Sequence, residues 1–472
     1  MSHFASHELV TDESSPTQDG GWVAYLGHPV DSDLLVLLRV ALGVSVFVWA
    51  KGFLAAGTCE AVFLNARFQF KYAGFEWVQL WPGDGIYYHF IAAAVAGLCL
   101  AAGAATRLAA AISSLSIAYV LLVERQIYVN HYYLIACACG LLVFLPSGRR
   151  WSLDALLLAR WGNANLASTI PRWQLWLIRF QLGLPYVFGG IAKLNSDWLA
   201  GQPCQMMLSN RAHFDLVGPV LQWPGMVSMF VYGGLVYDLL VVPLALWRPT
   251  RWLAVLLSLS FHLTNAALLQ IGVFPWFMLA TLLVFFPPGT VTRLMARWRG
   301  SSFRMDGLGT ESRSRASQWG LWLAAVYVVV QLLLPLRHWA LPGNPSWNER
   351  GHRFAWRMML RNKRSLVHYL IRNPNDPEQF VFIPSSVILT PYQVQRSERY
   401  PECIRQAAIE AGRVGEELGM SDCEVHALAL VSLNGRRPVP MVDPGVDLLK
   451  VKRGIWSNDW ITPDAGPFAE SV

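Results

Sequence analysis

The stretch Leu175-Trp-Leu-Ile-Arg-Phe-Gln-Leu-Gly-Leu-Pro-Tyr-Val-Phe-Gly-Gly-Ile-Ala-Lys193 decides the fold class of this chain. From Leu175 to Ala192 it is almost wholly apolar and close to the roughly 20 residues a helix needs to cross a bilayer. A lysine at the rim of such a segment is ordinarily an anchor whose ammonium reaches the headgroups. Two glycines before Lys193 let another backbone or a ligand approach closely, and Asn195-Ser-Asp-Trp198 turns the chain after it. That setting suits a partly desolvated amine, a group able to serve as a general base.

Similar segments recur at Leu34–Trp49, Ile86–Ala105, Leu108–Val123, Tyr132–Leu145, Val227–Trp247, Trp252–Leu269, Val273–Phe286 and Gln318–Leu336. The fourth and eighth of the whole set, Tyr132–Leu145 and Val273–Phe286, are short. Only 15% of residues are charged and 54% are hydrophobic, against about a quarter charged in soluble domains. Backbone groups in lipid must be satisfied internally, so the segments are helices. The chain reads as an α-helical polytopic membrane bundle of about nine transmembrane helices.

Arginine sets the orientation. Loops on one side carry Arg107, then Arg149, Arg150, Arg160 and Arg172, then Arg248 and Arg251, then Arg293, Arg297, Arg299, Arg304, Arg313 and Arg315. Opposite loops hold few basic residues, so the first side is cytoplasmic, together with the N-terminus. The net charge of +7 is therefore a topology signal, and no basic helix interleaved with aromatics points to nucleic acid. Residues 1–33 form a polar N-terminal tail without the basic start or cleavage site of a signal peptide.

An odd number of crossings places residues 337–472 outside, as a small extracytoplasmic α+β domain, mostly β. Its strand signals are Phe380–Ile383 and Val425–Leu433, the latter ending in the hairpin turn Asn434-Gly435. Between them Glu398–Leu418 reads as an amphipathic helix. The seven cysteines show no metal spacing. Cys59, Cys204, Cys403 and Cys423 share the outer side, where the sequence leaves their pairing open.

Polar residues in membrane segments are costly, so their depth is informative. Asn130-His131 opens the fourth helix on the outer side, Lys193 closes the fifth there, and His262 with Asn265 lies towards that face of the seventh, followed by Gln270. Taken singly, each has an ordinary role as a cap or interhelical hydrogen bond. Together they outline a cavity for a polar head whose apolar tail lies in lipid. Arg179 within the fifth helix is expected to pair with a carboxylate such as Asp238 of the sixth.

The same residues carry a family pattern. Asn130-His-Tyr-Tyr-Leu134, Trp151-Ser-Leu-Asp154, Gly190-Ile-Ala-Lys193-Leu-Asn-Ser-Asp197-Trp198, Phe261-His262 and Trp347-Asn-Glu-Arg-Gly-His-Arg-Phe354-Ala-Trp356-Arg-Met358-Met359 resemble the vitamin K-dependent γ-glutamyl carboxylase family, whose membrane part is the HTTM domain. The resemblance runs in order from about Leu34 to Val451 and implies an HTTM-type domain over residues 34–336. It implies a lyase that couples epoxidation of reduced vitamin K (phylloquinone or menaquinone hydroquinone) to carboxylation of protein glutamate. In that chemistry a lysine deprotonates the hydroquinone, the anion reacts with O₂, and the resulting alkoxide removes a glutamate γ-proton before CO₂ adds. No metal is implied.

By the same resemblance, Lys193 matches the base. His131, beside Asn130, matches the carboxylation histidine, and His262 a further active-site position. Asn265, Asp197, Trp198, Phe354, Trp356 and Met358 are the expected substrate and quinone contacts. Partners are membrane lipid, quinone and a glutamate-containing protein or peptide, and a bacterial inner membrane is the preferred location. This chain departs from the pattern at Ala192, where family members often have a second lysine. It also departs at Ala66, where animal members have a cysteine that pairs with one in the tail, which would leave Cys403 without that partner. Its tail is shorter, which puts propeptide docking in question. Quinol epoxidation without carboxylation, and a non-enzymatic quinone- or lipid-binding module, are the competing readings. The protein substrate and the oligomeric state are open.

Overall fold

The computed structural model describes residues 21–55, 57–161, 168–214, 218–269, 271–298, 318–452, 454 and 459–466. Gln270, Arg299, Arg304, Arg313, Arg315 and most of the polar N-terminal tail lie outside the described residues.

Each apolar segment forms a helix: α1 Asp33–Leu54, α2 Gly85–Ala102, α3 Thr106–Val123, α4 Asn130–Phe144, α5 Arg172–Lys193, α6 Met226–Leu246, α7 Arg251–Leu269, α8 Phe274–Leu282 and α9 Gln318–Leu336. The nine expected helices are all present, though not all are long enough to cross as single straight helices. Among the described residues seven helices are long and apolar enough to span, and an eighth is counted only if a bent pair is taken as one span. The 15 residues of α4 rise about 22 Å at ~1.5 Å each, short of a hydrocarbon core of about 30 Å. The other exception is α8, which runs to Phe285 and then bends by 96° into Thr290–Trp298. Pro287-Pro288-Gly289 breaks the helix there.

Charged groups within the bundle act as caps. Buried Asp33 accepts from the backbone N–H groups of Gly289 (2.9 Å) and Val291 (2.8 Å), fixing the bent helix. Asp154 of the Trp151-Ser-Leu-Asp motif accepts from the N–H groups of Ala105 (2.7 Å) and Thr106 (2.9 Å), at the start of α3. Arg179 does not pair with Asp238. Its guanidinium donates to the carbonyls of Val284 (3.0 Å) and Phe286 (2.6 Å), satisfying the frayed end of α8.

Small residues let helices touch backbone to backbone, the usual means of association in membranes. A Cβ at Gly97 of α2 would stand 2.7 Å from Phe47 N and 2.8 Å from Gly43 O of α1. One at Gly190 of α5 would stand 2.6 Å from Leu239 Cδ2 of α6.

The C-terminal part is a mixed domain built on a four-stranded antiparallel sheet, order β2-β1-β3-β4, from β1 Lys363–Asn373, β2 Asp376–Pro384, β3 Glu424–Leu433 and β4 Val439–Pro440. Helix α10, Pro401–Glu417, covers one face, burying Cys403, Ala407 and Ala411 with Tyr369, Ile371 and Val425. Asn434 and Gly435, at φ 52° and 85°, turn β3 back towards β4. All seven cysteines are free thiols, Cys403 among them.

This domain rests on the bundle through a few polar contacts. Lys71 and Gln406 exchange two hydrogen bonds of 2.9 Å. Asp197, just after α5, receives the Arg436 guanidinium at 2.6 and 2.8 Å and Asn434 Nδ2 at 2.7 Å. Burial alone would raise the Asp197 carboxyl, but the hydrogen bonds from Arg436 and Asn434 outweigh it and hold it below the usual aspartate value.

Gly97→Ala should destabilise the protein by about 1–3 kcal/mol, because the new methyl meets backbone. The comparison is the thermal midpoint in detergent against Gly233→Ala, whose Cβ would meet nothing within 4 Å. Arg436→Ala should lower the midpoint at neutral pH. A carboxyl held low in the folded state contributes stability above its unfolded pKa of about 3.9 and loses it as pH falls through the folded value. The gap to wild type should therefore close in acid, and a gap that is constant with pH would assign the loss to packing instead.

Candidate active site

The α5–α6 contact builds the centre of the site. Gly189 and Gly190 present bare backbone to α6, so Asp238 and Met358 lie against α5. A Cβ at Gly189 would stand 3.2 Å from Asp238 Oδ2 and 3.1 Å from Met358 Cε. Lys193, in the last turn of α5, is buried and bonds Asp238 Oδ2 directly. Its ammonium also has Gly234 O at 3.5 Å and lies 5.1 Å from the centre of the Trp198 ring. Lys193 is thus no headgroup anchor.

A cavity of about 310 Å³ opens from this pair, within the roughly 300–1,000 Å³ of small-molecule sites. Asn130, His131, Lys193, Trp198, His262, Asn265 and Met358 all line it. Apolar walls come from Phe230, Leu268, Leu269, Phe274 and Met278. Asp197, Phe354 and Trp356 are not part of that wall. Asp197 holds the interdomain contact described above. Phe354 packs against Tyr72, Tyr128 and Tyr133, and the fully buried Trp356 against Tyr133.

His262 is pinned on one side and free on the other. Its Nε2 lies 3.1 Å from the Tyr186 hydroxyl and 3.2 Å from that of Tyr237, which donates to Ser258 Oγ at 3.0 Å. Its Nδ1 is buried with no hydrogen-bond partner among the described residues. A buried orphan nitrogen in a cavity wall fits a ligand carrying a polar oxygen. His131 sets its ring 5.3 Å from Phe274. Asn130 accepts from the Tyr128 hydroxyl (2.9 Å) and donates to the carbonyl of Arg357 (3.4 Å). Tyr128 in turn accepts from Phe354 N (2.7 Å), so the start of α4 is tied to the C-terminal motif.

That motif is a strained strap. Glu349, Phe354, Trp356 and Met359 all adopt left-handed φ, between 56° and 63°. Such residues cost of order 1–3 kcal/mol each and persist where their surroundings enforce them, commonly at functional sites. Buried Glu349 supplies part of that enforcement, binding Arg361 at 2.5 and 2.7 Å and Lys363 at 2.6 Å. Burial would raise its carboxyl, but Arg361 and Lys363 outweigh that and hold it well below the usual range.

The strap makes this end of the cavity cationic, with Arg353, Arg357 and Arg361 in the wall, while burial and then Arg361 push the neighbouring His352 well below the usual histidine range. Arg357 has no carboxylate partner among the described residues. It donates to Ser346 Oγ at 3.3 Å and lies 3.4 Å from His338 Nε2. Burial, then the neighbouring Arg361, push its guanidinium down to about 10. Glu349 attracts it only from a distance, and a desolvated guanidinium that no carboxylate touches is a place for an anionic group of a ligand.

Sequence reading missed Asp238 as the lysine's partner, and it missed Tyr186, Tyr237, Arg357 and Arg361. One signal for Asp238 was available, since it is the lone acid of an apolar helix, and such residues are functional candidates by default. Nothing in the spacing of the others marks them. Among the described residues no His, Cys, Asp and Glu side chains gather as a metal site.

Two known domain families match the chain in order. The HTTM domain covers residues 27–289, more than half of the sequence, and the lumenal domain of vitamin K-dependent gamma-carboxylase covers residues 316–466. No solved structure matches it. The first match contains Asn130, His131, Lys193, Asp238 and His262, and the second contains the strap that closes over them. This is a multi-pass membrane protein with a lumenal-type C-terminal domain, and the chain belongs to the vitamin K-dependent γ-carboxylase family.

Proposed function

We propose that the protein carboxylates glutamate in a protein or peptide to γ-carboxyglutamate while a vitamin K-type hydroquinone is oxygenated to its epoxide. One observation carries this reading: a single cavity joins the buried Lys193 to the carboxylate-free cation Arg357. Oxygenation of the bound quinol supplies the strong base that no side chain can provide for a glutamate γ-proton.

The chain's own residues do the rest. Lys193 Nζ manages the quinol hydroxyl proton. His262 Nδ1 and Asn265 hydrogen-bond the quinol head, and the Trp198 ring flanks it. The isoprenoid tail of phylloquinone or menaquinone follows Leu268, Leu269 and Phe274 towards lipid. Arg357 receives the glutamate carboxylate, and Met358 packs beside it. Phe354 and Trp356 anchor the strap by packing against Tyr133. His131, held beside Asn130, handles protons at the carboxylation step. Apolar walls keep water from the reactive groups, with O₂ and CO₂ entering as co-substrates.

We assign residues 34–336 to the membrane domain and 337–472 to an extracytoplasmic domain, with a cytoplasmic N-terminus. The arginine-rich loops support that orientation, and a bacterial inner membrane is the proposed location.

Purified protein given vitamin K hydroquinone, bicarbonate, O₂ and a glutamate-containing peptide should form both epoxide and a peptide heavier by CO₂. Lys193→Ala should abolish both. Epoxide without the mass gain would support an epoxidase instead. No turnover, with Lys193→Ala binding quinone like wild type, would leave a binding module. His131→Ala should retain more epoxidation than carboxylation, and equal loss would remove its assigned step.

A further inference from the structure

Resting on the function proposed above, we infer that Lys193 and Asp238 form a proton relay in which the Asp238 carboxylate is the final acceptor of the quinol proton. Lys193 Nζ touches Asp238 Oδ2, and the two side chains are only 7% and 4% exposed. In a salt bridge the nitrogen already carries its full set of protons and has no lone pair to offer. Lys193 can take a proton at Nζ only by giving one up. Its other close neighbours, the Gly234 carbonyl at 3.5 Å and the Trp198 ring at 5.1 Å, cannot hold one. Asp238 can, and among the described residues it is the only carboxylate in the cavity wall.

The step balances without electron transfer. A quinol O–H bond breaks and its proton goes to Lys193 Nζ. One N–H bond of Nζ breaks and that proton goes to Asp238 Oδ2. Before the step the ammonium pairs with a carboxylate and the quinol is neutral. After it the ammonium pairs with the quinol oxygen and Asp238 is a neutral acid. The cavity's net charge is unchanged, and no uncompensated charge is created in a medium where one would be costly. A neutral amine beside an ionised Asp238 would begin from such a lone buried charge. Asp238 is therefore a positioning residue that acts through Lys193, and the bare backbone of Gly189 is what lets it sit there.

The test uses full-length protein in lipid nanodiscs, with wild type, Asp238→Asn and Asp238→Glu. Without O₂, the infrared difference between hydroquinone-bound and quinone-bound wild type should show a carboxylic-acid carbonyl band. That band should be missing in Asp238→Asn and displaced in Asp238→Glu. In air, Asp238→Asn should form epoxide roughly 10²- to 10⁴-fold more slowly, with quinone affinity within a few-fold of wild type and partial recovery in Asp238→Glu. Its deficit should shrink as pH rises towards about 10, where a phenolic hydroxyl ionises unaided. No acid band in wild type, or wild-type turnover in Asp238→Asn, overturns the inference. So does a deficit that neither glutamate nor high pH relieves, because that marks a purely structural role. Peptide carboxylation is scored separately, so an acid band and epoxide without γ-carboxyglutamate would count against the proposed function while supporting the relay.

Discussion

The salt bridge between Lys193 and Asp238 is the constraint on which the rest of the site depends. Two charges removed from water are tolerable only when they meet in good geometry. That meeting requires α5 and α6 to approach more closely than side chains on both would allow. Gly189 and Gly190 provide the room, and Leu239 and Met358 fill it. The pair sits at the last turn of α5, where the cavity is lined by residues of both matched domains, so it lies at the seam between two sequence families rather than inside either.

The seam is held by charge and by strain together. Four residues of the strap take left-handed backbone conformations that the chain would not choose alone. Glu349 anchors the strap by binding Arg361 and Lys363, while Tyr128 and Asn130 bind its backbone from the membrane side. Glu349 takes the direct contacts of Arg361 and Lys363, while Arg357, also in the cavity wall, touches no carboxylate among the described residues.

Much of the fold could be read without coordinates because hydrophobicity varies with the helix. The nine apolar segments all became helices, and the β3 strand with its Asn434-Gly435 turn fell where alternation and turn chemistry pointed. The number of crossings could not be read the same way. Whether α4 and α8 reach across depends on a bend at Pro287-Pro288-Gly289 and on lengths set by packing. The central strand β1 also passed unnoticed, since its register is decided by the two strands on either side.

The site divides along the same line. Its motif residues Asn130, His131, Lys193 and His262 were visible because polar groups at one depth of a membrane segment stand out against their background. The sequence by itself therefore determined the class of protein, its family pattern and the groups available for chemistry. Only the tertiary structure decided which of them meet. It turned Arg179 towards carbonyls and gave Asp238 to Lys193. It also packed Phe354 and Trp356 of the strap against tyrosines, out of the cavity wall, and set Arg357 in that wall. Pairing between helices is governed by where small residues let backbones touch, and that is a property of the packed bundle, not of any one segment.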